Sequence, residues 1–209
     1  TNNIDGYTCT AESTGGAVEN AWMLARGEID IGFVAASTLY QAQHSEGDFS
    51  DGTAASIKGI VSIYDEVVQI VSCDPSITSI EDLRGKKVAV GSAGSGTEVM
   101  ARDLLTLYGM SYDDIGEDFL GFGDASNGLK DKTLDAAFIW AGMPTSGLLE
   151  LGAQNDFYMI NIPTEKIEEL KKSQPFCVEV KVDNALIIQA TGSVVIIFDH
   201  ATYRNRQPQ

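Results

Sequence analysis

The sequence is short of positive charge: 14 Lys and Arg stand against 30 Asp and Glu in 209 residues, a formal net charge of −16. A surface of that sign repels nucleic acid and anionic membranes, which argues against partners of either kind. It also requires that any anionic ligand be held by local dipoles against an unfavourable overall field. Histidine is scarce too. His44 and His200 are the only two, and neither has a ligand-spaced neighbour, so no metal site and no Ser-His-Asp or Cys-His arrangement is expected. The three cysteines, Cys9, Cys73 and Cys177, are dispersed and form no CxxC pair. Each sits in an apolar run and reads as a small core residue. No apolar run approaches the ~20 residues that a membrane span needs. No signal peptide is recognisable at Thr1, which fits a cytosolic protein and a processed exported one equally well.

The stretch that is present and informative covers residues 88–102, VAVGSAGSGTEVMAR. Val88, Ala89 and Val90 read as a buried strand. Six small residues follow, Gly91, Ser92, Ala93, Gly94, Ser95 and Gly96, and then a helix with apolar positions at Val99, Met100, Leu104, Leu105 and Leu107. Glycines let a backbone approach a ligand closely, and the helix that follows opens with unpaired N–H groups, a seat for an anion. The P-loop pattern fails because Thr97 and Glu98 stand where Lys and Ser/Thr are needed, and the dinucleotide fingerprint fails for want of its third glycine. What remains is a neutral, hydroxyl-rich pocket suited to a carboxylate, or else a turn whose glycines serve tight packing.

The earlier part of the chain predicts a strand over 7–11 and a second Gly/hydroxyl turn at Ser13, Thr14, Gly15 and Gly16, with Ser13 or Thr14 as a helix cap. A helix over 17–26 follows, with Val18, Trp22 and Met23 or Leu24 inward. Residues 29–36, IDIGFVAA, read as a strand covered on both faces. A short helix over 39–44 and a polar loop over 45–53 come next. Runs 57–63 and 67–73 flank Tyr64, Asp65 and Glu66 as a long strand crossing between lobes. Beyond the central helix, the pattern predicts strands at 119–122, 135–140, 157–162 and 176–182, with helices at 125–130, 146–151 and 164–172.

Two segments echo each other. LARGEIDIGFVAAST and LKDKTLDAAFIWAGMPT each place an Asp, Asp30 or Asp135, at the mouth of an apolar strand that opens into small or hydroxyl residues. An α/β fold of two similar lobes is the simplest account. Residues 1–65 and about 184–209 are assigned to the first lobe and 66–183 to the second. The second lobe has a strand-loop-helix unit, 88–108, whose counterpart would precede Thr1, so the first lobe is expected to be incomplete at its N-terminal end. Ligands of open parallel sheets sit beyond the carboxyl ends of the strands, here the mouths at 13–16, 36–38, 92–97 and 141–146.

STGGAVEN, LARGEIDIGF, Tyr64-Asp65-Glu66, LRGKKVAVGSAGSGTEV and LDAAFIWAGMPT, taken in this order, resemble the TAXI-type solute receptors of TRAP transporters over roughly residues 10–176. The resemblance implies a two-lobed, periplasmic-binding-protein-like (type II) architecture and an extracytoplasmic or periplasmic location; no catalytic residue, cofactor or metal is expected. It also implies delivery of a small carboxylate, glutamate, 2-oxoglutarate or a relative, to the membrane components of a TRAP transporter. Carried onto this sequence, the cleft residues are Ser13, Thr14, Gly15, Gly16 and Asn20 on one lobe and Ser92, Gly94, Ser95, Gly96 and Thr97 on the other. From their positions at strand ends or at the lobe crossing, Ser37, Tyr64, Trp140, Pro144 and Thr145 are added, with Tyr64 equally readable as hinge packing and Trp140 as core. The sequence departs from the family in lacking the amino-terminal strand and its Gly-rich loop, and in the tail after Val182, which does not match.

Two other readings use the same fold. An enzyme such as an amino-acid-biosynthesis dehydratase would need acid–base groups, and only Glu19 and Glu98 lie near the mouths. A ligand-sensing regulatory domain would need an attached output module. Glu98 and Arg102, one turn apart, are expected to pair on their helix, and residues 165–172, EKIEELKK, to form a solvated face with i,i+4 pairs.

Overall fold

The fold was obtained as a computed structural model that describes residues 8, 10–63, 66–143, 145–175, 177 and 179. Its centre is a five-stranded mixed sheet in the order β3-β2-β4-β1-β5, built from β1 (Val67–Ser72), β2 (Lys87–Ala89), β3 (Gly116–Asp118), β4 (Ala136–Ala141) and β5 (Tyr158–Met159). β2 runs parallel to both β3 and β4, while β1 is antiparallel to β4 and β5. The fold is therefore mixed α/β, as the sequence predicts.

The central strands are apolar on both sides because helices cover both faces of the sheet. Val68 and Ile70 of β1 and Phe138 and Trp140 of β4 pack against Met100, Leu104 and Leu105 of α3 (Gly96–Leu107) and against Ile167 and Leu170 of α6 (Thr164–Leu170). The alternate residues, Val71, Ala137 and Ile139, meet Ala125 and Leu129 of α4 (Phe122–Lys130) and Leu148 and Leu151 of α5 (Ser146–Gly152). Two features fix the register. Asp135 accepts the Lys87 N–H at 2.8 Å, and the Ser72 hydroxyl donates to the Asp135 carbonyl at 2.6 Å.

A third cluster lies on the outer side of α3. Val18 and Ala21 of α1 (Ala17–Arg26), Ala42 of α2 (Ala36–His44), Phe49, Ala54 and Ile57 bury Val99 of α3. Phe49 is drawn inward by Trp22, whose ring centroid lies 5.0 Å away. The polar loop after α2 is thereby pinned as two short 3-10 turns, Gly47–Phe49 and Thr53–Ser56.

The largest departures from expectation lie in two apolar runs. Residues 29–35 and 57–63 form no strand where strands are predicted, leaving Ile31 75% and Phe33 76% exposed, with Ile60, Val61 and Ile63 exposed as well. A strand needs a neighbour's backbone, and no described segment runs beside either one. The expected strand at 119–122 is displaced: β3 ends at Asp118 and Phe122 already opens α4. After Ser79 the chain makes a 3-10 turn, Glu81–Leu83, and Asp82 accepts the Thr78 and Ser79 N–H groups. The charged pairs of α6 are spaced i,i+3, Lys166 with Glu169 and Glu168 with Lys171, rather than i,i+4. Of the strand expected at 7–11, the described residues 8, 10 and 11 belong to no strand, and the strand expected at 176–182, together with Cys9, Tyr64 and Pro144, falls wholly or largely outside the described residues. Cys177 is buried, as a core cysteine should be, and Cys73 is half-buried.

Candidate functional site

Three adjacent parallel strands, β3, β2 and β4, each lead through a loop into a helix beyond their carboxyl ends, so the starts of α3, α4 and α5 follow the carboxyl ends of neighbouring strands. Ser95 is the N-cap of α3, and its hydroxyl accepts the Glu98 N–H at 3.2 Å. Gly91, at a φ of 96°, makes the tight turn out of β2. A Cβ there would lie 2.7 Å from the Thr97 Cβ and 2.9 Å from the Glu98 N, so glycine is required by space and by dihedral alike.

The starts of α1 and α2 meet the start of α3. Val18 N–H donates to the Gly94 carbonyl at 3.0 Å. Gly16 is so close to the α3 loop that a Cβ on it would sit 2.8 Å from the Ser95 Cα. A Cβ on Gly96 would sit 2.7 Å from that of Ala35, the N-cap of α2, and 3.4 Å from the Trp140 ring. Gly16, Gly94, Ser95, Gly96 and Trp140 are therefore gathered in one place, with Ser37 two residues beyond Ala35. These mouths carry no lysine or arginine.

Several donors at this junction have no protein acceptor among the described residues: the Gly96 and Thr97 N–H groups of α3, and the Ser37 and Thr38 hydroxyls of α2. Ser37 and Thr38 are 1% and 0% exposed. A buried hydroxyl without a partner costs about 1–3 kcal/mol. Thr38 lies within the 36–38 mouth but not among the site residues expected from sequence; that its hydroxyl is buried without a partner is a matter of packing, which composition does not encode.

The remaining expected residues have other surroundings. Ser13 and Thr14 do not cap α1, whose N-cap is Gly16 with no side-chain cap. Glycine at a φ of 142° reaches a geometry closed to both, and it leaves room for Ser95. Thr14 instead donates to the Asn20 Oδ1 at 2.6 Å, and the Asn20 amide donates to the Phe33 carbonyl at 2.7 Å, so Asn20 braces the loop at Thr14 and the 29–35 segment. The Gly15 N–H is taken by the Glu19 carboxylate. Ser92 lies beside Gly121, the N-cap of α4. Thr145 is the N-cap of α5; its hydroxyl and that of Ser126 on α4 are buried without partners among the described residues.

The acids near the junction are engaged. Glu98 is buried, accepts the Tyr112 hydroxyl at 2.7 Å and lies 3.6 Å from Arg102, the helical pair the sequence predicts. Burial and Glu98 together raise the Tyr112 hydroxyl's pKa and keep it protonated. Arg102 also reaches Asp48 at 2.9 Å, which ties α3 to the 47–49 turn and points the guanidinium away from ligand duty. Among the described residues no group of His, Cys, Asp and Glu could hold a metal, and no helix is long and apolar enough to cross a membrane.

Comparison with solved structures returns periplasmic binding proteins. The chain is similar to the periplasmic aliphatic sulphonate binding protein SsuA from Escherichia coli, at 21% identity and a TM-score of 0.45, covering 70% of this chain and 47% of that one. It is similar to the alkanesulfonate-binding protein SsuA from Xanthomonas axonopodis pv. citri bound to MOPS, at 21% identity and a TM-score of 0.47 over 69% and 47% of the two chains. A third is the arginine-bound form of truncated ArgBP from T. maritima, at 20% identity and a TM-score of 0.36, over 56% of each chain. This chain spans about half the length of these proteins. Residues 1–192 match a single family description, and on that match the chain belongs to the NMT1-like family.

Proposed function

We propose that the protein is a solute-binding receptor that holds a small carboxylate at the junction of α1, α2 and α3 and passes it to a membrane transporter. One observation carries this reading. The starts of α1, α2 and α3 converge, and the Gly96 and Thr97 N–H groups of α3, together with the Ser37 and Thr38 hydroxyls of α2, lack protein acceptors among the described residues. Helix N-termini are electropositive, and backbone donors with hydroxyls can seat a carboxylate in an acidic protein without a cationic side chain. The direct contact of the α1 and α3 loops, 3.0 Å between Val18 N and Gly94 O, is the meeting that lobe closure on a ligand requires.

The finer reading is a TAXI-type receptor of a TRAP transporter, extracytoplasmic, with glutamate, 2-oxoglutarate or a relative as ligand. It rests on the sequence resemblance, as do the ligand roles of Ser13, Thr14, Gly15, Asn20 and Ser92; the assignment of residues 1–65 and about 184–209 to a first lobe and 66–183 to a second rests on the internal echo, and the ligand roles of Tyr64, Pro144 and Thr145 rest on their positions at the lobe crossing and at a strand end. An enzyme on this fold is less well supported, because Glu19 and Glu98, the acids beside the junction, are committed to Gly15 and to Tyr112 and Arg102. Titration calorimetry against a panel of small carboxylates and sulfonates tests the proposal. A carboxylate is expected to bind, and Ser95→Trp is expected to abolish its binding; unchanged affinity in that variant for every acid that binds would overturn it.

A further inference from the structure

Asp103, on α3, is partly buried among three elements and belongs to none of the contacts of the junction. Its Oδ2 accepts from Gln174 Nε2, in the turn after α6, at 2.5 Å, and from Gln41 Nε2, on α2, at 3.5 Å. The other amide atom of Gln41, Oε1, is buried with no hydrogen-bond partner among the described residues. An ionised carboxylate offers only acceptors, so it cannot satisfy that oxygen. A protonated one can: its O–H donates to Oε1 while the Gln41 N–H donates to the other carboxyl oxygen, closing an acid–amide ring.

We propose that Asp103 and Gln41 form a proton-dependent clasp between α3 and α2, made by two hydrogen bonds when the acid is protonated and by one when it is ionised. The groups around Asp103 fit such a role. Arg102 on α3 favours ionisation, Glu98 on α3 and Asp48 in the 47–49 turn oppose it, and the Tyr112 hydroxyl and Cys177 thiol are its titratable neighbours. Lys171 acts on Cys177, and His44 of α2 stacks on Tyr40 at 4.0 Å. Burial is the largest influence and lifts the Asp103 carboxyl to about 6, against the pull of Arg102 and Gln174. A folded-state value above the ordinary carboxylate range means that the clasp closes as pH falls through about 6 and opens above it. Thr38 lies one turn before Gln41, so the clasp steadies the helix whose start carries Ser37 and Thr38.

Hydrogen exchange on the full chain tests this without any ligand. After correction for intrinsic rates, the α2 amides are expected to be at least about threefold better protected at pH about 5 than at pH about 7.5. Asp103→Asn, which keeps one donor and one acceptor at every pH, is expected to remove that difference. Gln41→Met is expected to remove it too while leaving protection of the β1 and β4 amides unchanged. Equal α2 protection at the two pH values in the unmodified chain, or a full pH difference retained by Gln41→Met, would overturn the clasp. Should Asp103→Asn fail to fold, the comparison with Gln41→Met still decides.

Discussion

Gly96 and Gly123 differ only in what surrounds them, and they make opposite predictions. A Cβ on Gly96 would press on Ala35 at 2.7 Å and on Trp140 at 3.4 Å, while one on Gly123, exposed in the first turn of α4, meets nothing within 4 Å. Gly96→Val is therefore expected to cost about 1–3 kcal/mol through overpacking. Gly123→Ala is expected to gain up to about 1 kcal/mol through reduced freedom of the unfolded chain and better helix propensity. Urea denaturation of both variants checks the pair; equal effects would mean that the α2 and α3 starts are not in contact. The sequence makes the 91–96 loop legible as a place where backbone comes close to something. It does not tell that the first thing met is the Ala35 methyl, because that contact joins residues 61 positions apart, 96 less 35.

Among elements, the contrast between β4 and the 29–35 run states most clearly what a pattern can and cannot tell. Both are continuous apolar stretches that open on an aspartate, and both are predicted as strands. β4 becomes one because β2 and β1 flank it and helices cover its two faces. Residues 29–35 have no flanking strand among the described residues and are held instead by the Asn20 amide on the Phe33 carbonyl. Apolarity on both faces records how deeply a strand would be buried, not which backbone would pair with it. Asn20→Ala is accordingly expected to destabilise the fold by about 1–2 kcal/mol and to speed proteolysis between residues 28 and 35 ahead of global unfolding. Uniform loss of protection along the chain would contradict that local role. Phe33→Ser, at a side chain 76% exposed, is expected to stay within about 0.5 kcal/mol of the parent. A loss above about 2 kcal/mol in chemical denaturation would place Phe33 in a buried interface.

At the scale of the molecule, the excess of 30 acidic over 14 basic residues opposes both compaction and anion capture, and added salt should relieve the first by screening. In the proposed junction, oriented backbone dipoles at three helix starts would answer the second, since they place partial positive charge where no cationic side chain stands. The sequence made the mouths visible because their glycines and hydroxyls are out of keeping with an acidic surface. It left hidden the set of Gln41, Asp103 and Gln174, whose members come together only when α2 and the turn after α6 pack on α3. The most direct measurement is native mass spectrometry of the gently purified protein, alongside Gly96→Val. The junction proposed here predicts a small carboxylic acid released from the parent and missing from the variant. The same acid retained by both, or a cationic ligand released from the parent, would contradict it.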